Sequence, residues 1–115
     1  HFYVPGIQSL GFLENNEKKL TKKVLSNSYY LYANLLRTVI FADLPNAIVC
    51  FERALKFAAE GNNFVFECMT INQLYSTYMI GRDFQKAHEC KAKLKLIFKD
   101  FFPEDAIDKM LRIDA

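Results

Sequence analysis

The stretch Asp43-Leu44-Pro45-Asn46-Ala47-Ile48-Val49-Cys50-Phe51 returns forty residues later as Asp83-Phe84-Gln85-Lys86-Ala87-His88-Glu89-Cys90-Lys91. The shared skeleton is an Asp, a large apolar residue, an Ala four positions past the Asp, and a Cys three further on. Asp is a favoured helix N-cap because its carboxylate accepts from backbone N–H groups of the first turn. Pro45 fits there too, since the first turn has no use for its missing N–H. Both stretches therefore read as helix starts. The small Ala47 and Ala87 let a second helix lie close against the one before it, Leu44 and Phe84 plug the end of the pair, and Phe51 and Ala54 pack the shared interface.

Working outward, the residues before each start also match at this offset: Leu31 with Ile71, Leu35 with Tyr75, Thr38 with Tyr78 and Ile40 with Ile80. From Tyr29 the apolar positions Leu31, Leu35, Thr38/Val39 and Ala42 recur at three and four, which predicts a helix. A second helix carries Ala47, Ile48, Phe51, Ala54, Leu55 and Ala58 and stops at Gly61-Asn62-Asn63, residues that tolerate the left-handed conformation at a C-terminus. A third carries Phe64, Met69, Ile71, Leu74, Tyr75 and Tyr78 and ends at Gly81. A fourth runs from the Asp83 cap through Ala87, Cys90, Leu94 and Phe98, and Pro103-Glu104-Asp105 opens a fifth. Upstream, Glu17 to Leu25 reads as helical with a pause at Ser26-Asn27-Ser28, and Ile7, Leu10 and Leu13 as one face of a short helix. Long helices joined by short turns pack antiparallel to their neighbours.

Recurrence at 20–50 residues is the mark of stacked helical units. Ala47-Ile48-Val49-Cys50-Phe51-Glu52-Arg53-Ala54-Leu55 resembles the second-helix signature of the tetratricopeptide repeat family. Asn72-Gln73-Leu74-Tyr75-Ser76-Thr77-Tyr78, followed by Gly81-Arg82-Asp83-Phe84, resembles its first helix and turn. The likeness covers residues 29–102, clearest as 29–62 and 63–102. Two features depart from the family: the repeat is longer, and Lys91 stands where Phe51 predicts an aromatic. The resemblance implies an all-α fold of antiparallel helix pairs stacked as a short right-handed superhelix, in one domain over 1–115. It also implies a protein- or peptide-binding scaffold whose first helices line a concave groove. Carried over residue by residue, that groove takes Tyr29, Tyr32, Leu36 and Val39 from one pair and Met69, Asn72, Gln73 and Ser76 from the next. Side-chain amides offer a donor and an acceptor to a peptide backbone, and tyrosines offer contact area with few rotors to freeze. Repeats of about forty residues also resemble those of bacterial peptide-sensing regulators. The alternative reading is thus the ligand-sensing or dimerising part of a transcriptional regulator.

The remaining features narrow the classes. With 51% hydrophobic and 24% charged residues the chain is globular in composition. A net charge of +2 does not by itself argue for nucleic acid. Two lysine faces, Lys18/Lys19/Lys22/Lys23 and Lys91/Lys95/Lys99, read as solvated helix faces able to meet an acidic partner or nucleic acid. Cys50, Cys68 and Cys90 stand apart with no framework spacing, which points to buried thiols and a cytoplasmic setting. No apolar run is long enough for a membrane span. His88-Glu89-Cys90 cannot converge on one metal or substrate, because successive helical residues point about 100° apart. No catalytic motif, cofactor loop or metal spacing occurs, so the reading is a non-enzyme with no cofactor. The chain lacks an initiator Met and holds about two and a half helix pairs, so it reads as a piece of something longer. Apolar outer edges are expected on it, and a homo-oligomer is one way of covering them.

Overall fold

The computed structural model describes residues 10–38 and 42–110. These form six helices and, among the described residues, no strand: α1 (Leu10–Asn15), α2 (Lys22–Arg37), α3 (Leu44–Glu60), α4 (Phe64–Ile80), α5 (Phe84–Phe98) and α6 (Glu104–Met110). From α3 onward each helix begins twenty residues after the one before. The forty-residue offset of the sequence is therefore a helix-by-helix spacing. Ser26-Asn27-Ser28 does not interrupt α2, because Ser26 Oγ donates back to the Lys23 carbonyl and the helix continues.

The corners explain the spacing. Asp43, Asn63 and Asp83 each accept, through a side-chain oxygen, the backbone N–H three residues on. The residue before each cap, Ala42, Asn62 or Arg82, has φ of 48°, 56° or 62°. One left-handed residue followed by a capping residue reverses the chain with little length. Asn63 N–H donates to the Ala58 carbonyl and Asp83 N–H to the Tyr78 carbonyl, each at 2.9 Å, so the α3–α4 and α4–α5 corners are built alike. Gly61 is needed where α2 starts beside this corner: a Cβ on it would lie 3.2 Å from Lys22 Cβ and from the Phe57 carbonyl.

From α2 to α5, consecutive helices run antiparallel. Lys22 at the start of α2 pairs with Glu60 at the end of α3 (Nζ–Oε1 2.8 Å), while Asp43 N–H donates to the Leu36 carbonyl at the other end. Phe64 at the start of α4 meets Phe101 just past α5, with centroids 5.5 Å apart. Alternate helices consequently run parallel. Tyr30 of α2 lies against Phe66 of α4 at 4.9 Å, and Arg37 reaches Gln73 and Thr77 further along the same pair.

The main core joins Leu13 of α1, Leu25, Tyr29, Tyr32, Ala33 and Leu36 of α2, the inner face of α3 and the near side of α4. Ala47 and Ala87 are completely buried, each at a close helix approach, as are Phe51 and Ala54. A smaller cluster, Ile71, Leu94 and Ile107, ties α4, α5 and α6 together. Leu44 and Phe84 differ despite their shared position. Leu44 Cδ1 would sit 3.7 Å from a Cβ on Gly81 at the α4–α5 corner, whereas Phe84 is exposed.

The caps and left-handed residues give a stability test. Asp83→Ala should lower unfolding free energy by about 1 kcal/mol, since it strips the first turn of α5 of an acceptor. Arg82→Gly should hold or raise stability, and Arg82→Val should lower it, because a β-branched residue is poorly tolerated at positive φ. Urea denaturation followed by circular dichroism measures all three.

Candidate functional site

The structure divides the groove residues read from the sequence into two sets. Tyr29, Tyr32 and Leu36 are core residues: the two tyrosines are 0% exposed, and all three belong to the main cluster with α3. They are not part of an open groove. Tyr29 stacks on Phe57 with centroids 6.0 Å apart, and its hydroxyl reaches out of the core to donate to Glu17 Oε2 at 2.6 Å. Burial first, and then the Glu17 acceptor, push that phenol well above its ordinary pKa, with Arg53 partly opposing. Leu31, one of the apolar positions whose spacing predicts α2, is 47% exposed. Tyr29, Tyr32 and Leu36 turn inward on α2 rather than toward a groove. Positions 25, 29, 32 and 36 and positions 31, 35 and 38 are both spaced for a helix. A tyrosine can face inward when its hydroxyl finds an acceptor at the core edge. Val39 lies outside the described residues.

Met69, Asn72, Gln73 and Ser76 do come together on α4. Met69 and Asn72 are exposed, and Gln73 and Ser76 are half-buried beside them. Val65, at 67% exposure, extends this line toward the start of α4, and Ile80 extends it toward the end. On α2 the outward residues are Val24, Asn27 and Leu31.

Arg37 joins the two helices. Its Nη1 donates to the Gln73 carbonyl at 3.3 Å and to Thr77 Oγ1 at 3.1 Å. Its Nη2 donates to Asn34 Oδ1 at 3.1 Å and to Gln73 Oε1. The guanidinium also sits 5.4 Å from the centre of the Phe51 ring. Every one of these partners is neutral. Burial lowers the Arg37 pKa from its ordinary value, with Tyr30 opposing. Arginine stays protonated in proteins all the same, so the junction carries an uncompensated positive charge.

The outer side of α2 and α4 thus offers apolar side chains (Leu31, Val65, Met69) around a polar centre (Asn34, Arg37, Asn72, Gln73, Ser76). Such a surface can take an apolar side chain beside a hydrogen-bonding group. Asn34, Leu31 and Val65 are members that the groove carried over from the sequence left out, while Arg37 already stood out there as the cation near it. The signal for Arg37 was present: a cation on α2 facing Gln73 at the matching turn of α4.

The other candidates resolve into structure. Burial pushes the Cys50 thiol up to about 11 and raises Cys68 and Cys90 as well, which leaves the thiols protonated and poorly nucleophilic at neutral pH. Lys22, of the first lysine face, sits 5.1 Å from the centre of the Phe57 ring as well as on Glu60. Among the described residues no group of three His, Cys, Asp or Glu is placed to hold a metal ion. None of the described helices is long and apolar enough to cross a membrane.

No family model matches this chain, and neither a curated protein nor a solved structure does. Fold and surface together define an all-α chain of sequential antiparallel helices with an amphipathic outer face on α2 and α4.

Two substitutions separate the sets. Tyr32→Ala should cost roughly 3–5 kcal/mol, the usual price of truncating a large buried ring, whereas Asn72→Ala should stay within about 0.5 kcal/mol. Arg37→Met should cost about 2 kcal/mol through lost charge-assisted hydrogen bonds. Equal melting of the Tyr32→Ala and Asn72→Ala proteins would contradict the division.

Proposed function

We propose that this chain is a protein- or peptide-binding module, a tetratricopeptide-like scaffold that holds its partner along the outer face of α2 and α4. The observation that carries the reading is the conjunction on that face: exposed Leu31, Val65 and Met69 flank the amides of Asn72 and Gln73. Exposed apolar side chains set beside hydrogen-bonding groups are the mixture that protein interfaces use. The resemblance to the repeat family puts the partner on the same helices. The grip differs from a cationic clamp. Asn72 can pair with the N–H and C=O of an extended segment, while Met69 adapts to the partner's side chains through its flexible thioether. Three separate thiols without framework spacing fit a cytoplasmic setting.

Peptides selected against the whole chain from a random library, then measured by fluorescence polarisation, test the reading. Met69→Asp should weaken binding by roughly tenfold or more, the scale expected for losing a buried apolar contact. Asn72→Ala should weaken it by a smaller factor. Selected peptides that bind both variants like the parent would place the site elsewhere and sink the proposal.

A further inference from the structure

The junction beneath the α2/α4 face fixes which way its amides point. Arginine has N–H donors and no acceptor, so a side-chain amide that meets Arg37 must turn its oxygen toward it. Asn34 does so with Oδ1 and Gln73 with Oε1. Asn34 Nδ2 donates in turn to the Tyr30 carbonyl of its own helix at 3.2 Å. Gln73 is held twice, by its backbone carbonyl on Arg37 Nη1 and by Oε1 on Nη2. Its Nε2, with two N–H groups, is therefore turned away from the guanidinium. Gln73 and Ser76 are half-buried, and Asn72 beside them is exposed. The polar centre of the face is biased toward donors.

Charge points the same way. Over its length α2 carries Lys22, Lys23 and Arg37 and no acid, and α4 carries Glu67 as its one charged residue. Glu67 stands six residues before Gln73, about 9 Å along the helix axis. Burial lowers the Arg37 pKa and Tyr30 opposes it, with no carboxylate contributing. We propose that the partner held on this face sets an Asp or Glu side chain on Gln73 Nε2 and the Asn72 amide, above Arg37, with an apolar residue two positions along its chain on Met69. This ligand chemistry rests on the chain being a peptide-binding module. The Nη groups of Arg37 are already engaged by Asn34, Gln73 and Thr77, so the guanidinium acts through its field, and the amides make the contact. Hydrogen bonds to an ionised acceptor are the stronger kind, and a lysine or arginine at the same place meets a like charge. The spacing follows from the two backbones. Met69 and Gln73 lie one turn apart on α4, about 6 Å, and side chains i and i+2 of an extended segment share a face about 7 Å apart.

The test uses peptides selected against the whole chain from a random library, then sequenced and resynthesised with both ends blocked. An acidic residue two positions from an apolar one should recur among them. Replacing that Asp by Asn, or Glu by Gln, should weaken binding about tenfold by fluorescence polarisation. Gln73→Glu supplies Arg37 with a carboxylate from within the protein and keeps the side-chain length. That variant should fold like the parent by far-ultraviolet circular dichroism and lose the tenfold preference for the acidic peptide. Arg37→Met should lose it too. Peptides that depend on Met69 yet bind equally as acid and amide would overturn this inference and leave the binding reading standing. Peptides indifferent to Met69→Asp, or no selected peptide at all, would remove both. A preference that survives Gln73→Glu in a folded protein would also overturn it, as would binding that is lost when the peptide's C-terminal carboxylate is blocked.

Discussion

The guanidinium of Arg37 is the contact on which the arrangement of alternate helices turns. Short corners place α2 against α3 and α3 against α4, but they do not by themselves set how α2 lies relative to α4. Arg37 does so by donating to Asn34 on its own helix and to Gln73 and Thr77 on the other. The aromatic contacts Phe66–Tyr30–Phe51 continue the same junction from α4 through α2 to α3. Hydrogen bonds to a charged donor are the stronger kind, and all four acceptors are neutral. The junction therefore holds two helices in register and leaves a positive centre just beneath their outer face.

Helix length follows from the corners. Each of the corners at 42–43, 62–63 and 82–83 uses one left-handed residue and one capping side chain. Nothing longer intervenes between α3 and α4 or between α4 and α5, so consecutive helices stay in contact from end to end. Strain at Ala42 and Arg82, neither of which favours positive φ, is tolerated because the cap and the backbone bonds on either side over-determine the turn.

The starts of α3 and α5 were legible in the sequence because capping chemistry is local: Asp43 and Asp83 act within three residues, and Gly61 and Gly81 end the helices before them. By contrast, α2 starts at Lys22 behind Thr21 and not at Glu17 as its sequence suggests. Which face of a helix turns inward was less legible. On α3 the small residues Ala47, Ala54 and Ala58 alternate with Phe51 and leave a single choice. On α2 two apolar stripes compete. The choice between them rests on Tyr29 reaching Glu17, twelve residues away across a turn, a pairing that helical periodicity cannot show. On α4 apolar residues occur all round, with Val65, Met69 and Ile80 outside and Ile71, Leu74 and Tyr78 inside. Periodicity alone did not single out its buried face. Met69, Asn72, Gln73 and Ser76 were named through the resemblance; the place of Leu31 beside them needed the parallel packing of α2 on α4.

The α2/α4 face surrounds an amide-rich centre with apolar side chains. The most direct measurement of the central claim is methyl nuclear magnetic resonance on the whole chain during titration with a peptide selected for binding. The account predicts that the methyl signals of Leu31, Val65 and Met69 shift together, while those of the core residues Leu25 and Leu36 hold their positions. Shifts confined to Leu96 and Ile107, with Leu31, Val65 and Met69 unmoved, would contradict it.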